Sequence, residues 1–310
     1  MEYKYRVYGM DINSQIEITE FVNRYNDSYD DINKVVNIRV GDVPERFKLE
    51  MEKGTTIGFG DKEVWFEIEN VGFYHIYNGT EIMVNIYENA DRIQVNNYLT
   101  CSCLGFIMLQ KENVAIHGAV INIDNKGVII TGERGAGKSS LSTALRQRGY
   151  GFIADDVAAL DIKEKPYINH AFPYQKLCSD LVDNMNYSKT KYKSFKSDTS
   201  IKYLVPVHDN FQKEQIYLDS IFKLRVDDVK EVSIKEIKGN EKLKLIFENI
   251  YRGEYRSFIG GFSGEYIKKC ITIAKNIKVY EIVRPKDKFT LDKQIELVEE
   301  CIKDKEKMVV

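Results

Sequence analysis

The sequence predicts a β-rich N-terminal domain over residues 1–100, followed by an α/β domain over residues 101–310. Three observations carry that expectation. Short apolar and aromatic runs, interleaved with polar residues and broken by Asn78-Gly79, fill the first part. Residues 127–156 read as strand, glycine-rich loop, helix and strand in succession. Beyond them, runs of strand length are interspersed with stretches whose apolar residues recur at helical spacing.

Within the N-terminal part, Tyr3, Tyr5 and Val7, then Ile12, Ile16 and Ile18, then Val35–Val40 mark strands. Residues 71–77 and 81–87 flank Asn78-Gly79, a pair that tolerates the positive φ of a type I′ turn, so they form a hairpin. Trp65, Phe66, Phe73 and Tyr74 are expected in sheet packing and His75 on a strand surface; no chemistry is expected here. Residues 92–110 read as a helix joining the two parts, with Ile93, Leu104 and Ile107 among its apolar positions. The run 101–109 within it is too short to cross a bilayer and suits a buried helix. Residues 114–123 follow as one strand carrying His117.

Val128, Ile129 and Ile130 then form a buried strand. Gly132-Glu133-Arg134-Gly135-Ala136-Gly137-Lys138-Ser139 matches G-x-x-x-x-G-K-[ST] in full, and Ser140 opens a helix that Gly149 stops. The glycines let backbone N–H groups of residues 132–140 gather around a phosphate, with the positive end of the helix behind it. Lys138 is placed for the β- and γ-phosphates of ATP, and the Ser139 hydroxyl for Mg2+. Residues 150–154 form a second apolar run that ends on Asp155-Asp156. One of these carboxylates can orient the metal while the other accepts a proton from an attacking hydroxyl. The complete motif, its flanks and the Asp pair favour a nucleotide site over a mere glycine-rich turn and acidic helix cap.

After Asp156, residues 157–162 read as a strand and 163–166 as a turn. Asp180 lies near a helix start, where capping or a solvated face explains it. Residues 184–200 are polar and lysine-rich, a solvated mobile loop. The same loop could also close as a lid, with Lys189, Lys191, Lys193 and Lys196 drawing an acidic peptide or phosphate. Residues 202–207 and 216–226 are expected as strands returning to the sheet. A helix over 241–251 ends near Arg252, another covers 263–275, and a strand over 278–283 follows. Thr290 caps a last amphipathic helix, whose lysine-rich end is expected to fray.

With 45 Lys and Arg against 47 Asp and Glu, the net charge of −2 implies no polyelectrolyte partner such as nucleic acid. No signal pattern and no long apolar run is visible, so neither secretion nor membrane spanning is expected. Five cysteines without a CxxC fit a reduced, cytoplasmic chain, with Cys101 and Cys103 read as small core residues on a helix rather than metal ligands.

His117-Gly118, fifteen residues before Gly132, together with the P-loop and Ala154-Asp155-Asp156, resembles the HPr kinase/phosphorylase family. The likeness is closer to HPr-kinase-like serine kinases of peptide-modifying gene clusters, including lasso-peptide kinases, which lack the bifunctional enzyme's own N-terminal domain. Tyr5-Arg6-Val7-Tyr8-Gly9, Pro173-Tyr174-Gln175-Lys176-Leu177 and Lys202-Tyr203-Leu204-Val205-Pro206-Val207 extend it. So do Asn249-Ile250-Tyr251-Arg252 and Val279-Tyr280-Glu281-Ile282-Val283-Arg284-Pro285. The resemblance implies a strongly bent mixed sheet of the HPr kinase type, akin to ATP-dependent phosphoenolpyruvate carboxykinases.

The resemblance also implies roles. Asp156 is the base, Asp155 supports Mg2+, and His117 touches the γ-phosphate or helps position the acceptor. It sets Arg252 against the nucleotide phosphates, where the residue pattern alone reads a helix-end cation. A family glutamate that ligates a second Mg2+ falls on Leu181 here, leaving Asp180 as a candidate. Glu133-Arg134 departs from the small-residue loop of the family, and the signature of the reverse phosphorolysis is not visible. The implied activity is an ATP- and Mg2+-dependent serine kinase acting on a peptide or small protein, in a chain that could assemble as a homo-oligomer. The same residues would serve a kinase of free serine or a related metabolite. A regulatory protein that binds ATP without transfer is the reading from another class.

Overall fold

The computed structural model describes residues 2–23, 35–197 and 200–303. The end expected to fray falls on residues 304–310, outside the described residues. The first sheet has seven strands: β1 (Tyr3–Val7), β2 (Met10–Ser14), β3 (Val35–Val40), β4 (Ile57–Gly60), β5 (Glu63–Ile68), β6 (Gly72–Tyr77) and β7 (Glu81–Ile86). Their order is β1-β2-β3-β7-β6-β5-β4, with β3 parallel to both its neighbours. Helix α1 (Glu45–Glu52), which the β-rich reading did not anticipate, lays Phe47 on Trp65 and Phe73 at 5.2 and 5.5 Å between ring centroids. The same contact corrects the expectation for His75. Its ring lies 4.8 Å from Phe47 and is buried, bonded to Glu63 at 2.7 Å, because β6 runs between β5 and β7 under that helix.

The connecting helix forms as expected, with a difference in its middle. It is α2 (Arg92–Asn97), then a π-helical turn (Tyr98–Cys103), then α3 (Leu104–Gln110). The wider turn carries Cys101 and Ser102. The chain continues through β8 (Ala115–His117), β9 (Ala119–Ile123), β10 (Lys126–Gly132), α4 (Lys138–Gln147), β11 (Gly151–Ala154), β12 (Val157–Ile162) and β13 (Pro166–Asn169). The single strand expected over 114–123 is therefore two, which part at Gly118. β8 pairs with β12, whereas β9 pairs with β10 and β11. A Cβ on Gly118 would lie 2.6 Å from the Ile130 carbonyl oxygen, so the crossing beside β10 requires glycine.

Next come β14 (Tyr174–Cys178), α5 (Ser179–Asn184), β15 (Ser194–Lys196) and β16 (Ile201–Pro206). The remainder is β17 (Ile216–Asp227), β18 (Ser233–Ile237), α6 (Asn240–Glu248), α7 (Gly264–Asn276), β19 (Lys278–Pro285) and α8 (Leu291–Lys303). A nine-stranded sheet runs β11-β9-β10-β17-β13-β12-β8, with β19 beside β17 and β18 beside β19. It is mixed: β10–β17 and β17–β19 are parallel, the other pairs antiparallel.

Two expectations fail in the segment between β13 and β17. β16 does not return to the main sheet but joins β14 and β15 in a separate three-stranded sheet. The lysine-rich stretch is also more ordered than its composition suggested. Phe195 on β15 is buried, and Tyr187 and Tyr192 pack on a small core of Leu177, Leu181, Val182 and Val205. One buried ring anchors the short strand that ends on Lys196; residues 198–199 lie outside the described residues.

The largest apolar cluster draws on the first sheet through Val36 and Ile38, on the connecting helix through Leu99 and Ile107, and on the main sheet through Ile116, Val157 and Ile221. A second cluster sits behind the P-loop. There Leu141 and Leu145 of α4 meet Val128, Ile130 and Phe222 of the sheet, with Ile295 and Val298 of α8. Each such side chain contributes roughly 1.5–3 kcal/mol by burial, so α4 and the loop before it rest on a fixed support.

Candidate active site

The P-loop is delivered by β10, an interior strand between β9 and β17, and Thr131 and Gly132 end it. Gly132 has φ 138° and lies so close to β17 that an added Cβ would be 2.4 Å from the Leu224 carbonyl oxygen. Gly135 and Gly137 also have positive φ, and α4 starts directly after Gly137, at Lys138 rather than at Ser140. The free N–H groups of this first turn face the loop, the arrangement that favours an anion. Lys138 folds over the loop, donating from Nζ to Gly132 O at 2.7 Å and to Glu133 O at 3.1 Å. From outside, Arg284 at the end of β19 donates to Ala136 O at 2.9 Å and Gly135 O at 3.1 Å. Glu133, Arg134 and Gly135 are exposed at the tip of the loop, while Ser139 and Ser140 are half-buried at the helix start.

The structure brings His117 and the Asp pair together beside this loop. β8 and β12 are antiparallel, His117 faces Val157, and Gly118 N donates to Asp156 O at 3.0 Å. Thr131 ties the P-loop strand to the same place, donating to His117 O at 2.6 Å and to Asn249 Oδ1 at 2.8 Å. The imidazole stacks on Tyr251 at 5.9 Å. Burial lowers the His117 pKa, against the opposing pull of Asp156, so the ring is favoured neutral. Asp155 is buried, and its Oδ2 accepts from Lys176 N at 2.8 Å. Asp156 is more open, its side chain 32% exposed.

Lys176, central to the cluster, was not singled out as functional from sequence. Its Nζ lies 3.3 Å from Asp156 Oδ2 and donates to Cys101 Sγ, while its own N–H holds Asp155. The side chain is only 4% exposed. Burial alone would lower its pKa, but Cys101 and Asp156 hold it well above the ordinary lysine value. Lys202 on β16 adds a further positive charge close enough to act on both carboxylates and on Lys138. The pair of carboxyls is thereby split. Burial and then the charge of Asp156 push Asp155 up; burial would raise Asp156 too, but Lys176, Lys202 and His117 hold it down. Asp156 is the ionised member. The sequence signals for Lys176 were its place in the 173–177 segment of the resemblance and a charge beside the apolar Leu177 and Phe172, and nothing in the chain order tied it to Cys101.

Arg252 is placed differently from the expectation. Its guanidinium donates to Ser102 Oγ at 2.8 Å and lies over the rings of Phe106, Tyr251 and Tyr255. Among the described residues no hydrogen bond or ion pair joins it to the P-loop. Asp180 is in the first turn of α5, with no cap bond from its side chain among the hydrogen bonds described. For a divalent ion, no group of three His, Cys, Asp or Glu side chains converges among the described residues. Mg2+ binds through one or two protein oxygens plus substrate phosphates rather than in an all-protein cage, and the Ser139 hydroxyl at the start of α4 and the Asp155 carboxyl after β11 are the oxygens that would hold it. No helix among the described residues is long and apolar enough to cross a membrane.

Comparison with known proteins agrees with this geometry. Residues 109–177 match the family model of the HPr Serine kinase C-terminal domain. The HPr kinase/phosphorylase of Aromatoleum aromaticum is 46% identical over 82 residues, covering 24% of this chain and 26% of that protein. That of Clostridium acetobutylicum is 49% identical over 49 residues, 16% of each. The chain thus matches about a quarter or less of the length of these relatives. A solved structure, the Hpr(Ser) kinase/phosphatase from Coxiella burnetii, aligns over 62% of this chain and 95% of that one, at 16% identity and a TM-score of 0.31. The family-model match over residues 109–177 takes in His117, the P-loop and the Asp pair, and there the chain is similar to the HPr kinase C-terminal domain.

Proposed function

We propose that the chain is an ATP- and Mg2+-dependent serine kinase whose acceptor is a peptide or small protein. The observation that carries the reading is the placement of a complete P-loop, through Thr131, beside His117 and two adjacent carboxylates. The loop N–H groups and Lys138 would bind the triphosphate. Ser139 and Asp155 would hold Mg2+, which neutralises charge on the β- and γ-phosphates. Asp156 would accept the serine proton as the hydroxyl oxygen attacks the γ-phosphorus and the bond to ADP breaks. His117, favoured neutral, would face the same phosphoryl group without adding a positive charge there. Arg252 acts on this reading through Tyr251, the ring on which His117 stacks.

A division near residue 100, with an HPr kinase/phosphoenolpyruvate carboxykinase-type core after it, belongs to this reading. It is supported by the sheets, because among the described residues no strand of the first sheet pairs with a strand of those that follow. Among the described residues no disulfide joins any of the cysteines, which supports a reducing, cytoplasmic setting.

Mass spectrometry after incubation with Mg-ATP tests the proposal, using serine-bearing peptides, HPr and free serine as acceptors and an Asp156→Asn protein alongside. One added phosphate on a peptide or protein, lost in the variant while ATP still binds, is expected. Transfer to free serine alone would move the acceptor to a metabolite. Tight ATP binding with no transfer, equal in both proteins, would mean a regulatory role.

A further inference from the structure

The β1–β2 hairpin turns on Tyr8-Gly9, with Val7 facing Met10 and φ angles of 55° and 73°. The same backbone shape recurs at Asn78-Gly79, where the angles are 56° and 69°. At the second turn the sequence is the one that shape prefers. At the first, a bulky aromatic holds a conformation that asparagine and glycine adopt far more readily. A turn needed only to reverse the chain has no use for tyrosine. Its side chain therefore has to account for its presence.

That side chain points inward. Tyr8 is 4% exposed and packs edge-on against Phe172 at 6.4 Å, and the Phe172 ring lies 5.9 Å from Lys176 Nζ. The phenol shares its electrostatic surroundings with Cys101, Lys176, Tyr251 and Asp156. The turn is also clamped from behind. Tyr8 N donates to His170 O at 2.8 Å, and a Cβ on Gly9 would lie 2.8 Å from the Asn169 side chain. Residues just after β13 thus press the hairpin tip toward the centre.

We infer that Tyr8 is a positioning residue of the catalytic centre, covering the Lys176–Cys101 pair and through Lys176 fixing the Asp156 carboxylate. The first sheet is then a working part of the site and not only its scaffold. This rests on the kinase reading for its consequence in transfer, but the shielding of Cys101 by Tyr8 can be read independently.

Three proteins decide it: the wild type; Tyr8→Phe, which keeps the ring; and Tyr8→Asn, which suits the turn and removes the ring. Each is assayed for Mg-ATP binding, melting, phosphoryl transfer to the acceptor panel, and iodoacetamide alkylation of Cys101 followed by peptide mass. Tyr8→Asn is expected to melt somewhat lower than wild type, because losing a buried ring outweighs the relief of the turn, and to bind Mg-ATP equally. Its kcat should fall about tenfold or more at unchanged KM for ATP, and Cys101 should be alkylated several-fold faster. Tyr8→Phe should show a smaller kcat loss with no change in melting. Wild-type rates of both transfer and alkylation in Tyr8→Asn would overturn the inference. If the wild type transfers phosphate to nothing, the kinase reading fails and alkylation alone decides: faster labelling keeps Tyr8 over the pair, equal labelling removes it. Should Tyr8→Asn fail to fold, a wild-type kcat in Tyr8→Phe overturns the inference.

Discussion

On one side of the candidate site, eight consecutive residues from Gly132 to Ser139 set the backbone and supply the two side chains proposed for the triphosphate and its Mg2+. On the other side, Cys101, His117, Asp155, Asp156, Lys176 and Lys202 arrive from the π-helical turn, from β8, from the end of β11 and from the small sheet of β14 and β16. The first wall depends on local conformation and the second on long-range packing. A local wall is damaged chiefly by changing its own residues, with Arg284 as its distant brace. An assembled wall can be damaged from any of its contributing segments, the N-terminal hairpin included.

Replacing Lys138 with Met should give the largest effect, a loss of transfer of about a hundredfold or more. Isothermal titration should show weakened Mg-ATP binding as well. Lys176→Met should separate the two walls: transfer falls about a hundredfold while Mg-ATP affinity stays within a few-fold, and Lys176→Arg restores part of the rate. Equal loss of binding in both variants would erase the distinction. Arg284→Ala tests whether the local wall is as self-sufficient as its sequence suggests. Losing two hydrogen bonds to the loop should weaken ATP binding about tenfold, close to 1.4 kcal/mol, with kcat at saturation little changed.

Smaller effects concern the two turns. Asn78→Tyr should cost about 1–2 kcal/mol in urea unfolding, because at Asn78 no buried centre takes up the ring. The smallest effect is set by pH. Burial lowers the pKa of His75, against its bond to Glu63, and that of His170. Both bind protons more readily in the unfolded chain, so their stabilising contribution is complete above about pH 6.5 and is lost as pH falls through the folded values. The melting temperature should drop between pH 7 and pH 5, and drop less in His75→Gln.

This contrast also explains what could be read from the chain. The P-loop was legible because its requirement is a backbone shape written in consecutive glycines, with lysine and serine at fixed offsets. His117 and Asp156 were legible only through spacing relative to that loop. Lys176 was hidden because its partner Cys101 lies 75 residues away and β14 itself gave no periodic signal. Arg252 was misplaced for the same reason: its contacts with Ser102 and Phe106 span the π-helical turn, where register differs from that of an α-helix. In the first sheet, the Asn78-Gly79 hairpin could be read directly. The burial of His75 could not, since it depends on α1 folding over β6.

Arg284 meets the loop it supports from 148 positions farther along the chain. At synthesis speeds of about 5–20 residues per second, that separation corresponds to roughly 7–30 s between the two ends of the contact leaving the ribosome. Through that interval the loop exists without its clamp, and the strand that carries Arg284 is the last of the sheet to be made. A chain stalled before β19 would hold every residue of the motif and still lack the finished cradle, so binding should reach full strength only when synthesis is nearly over.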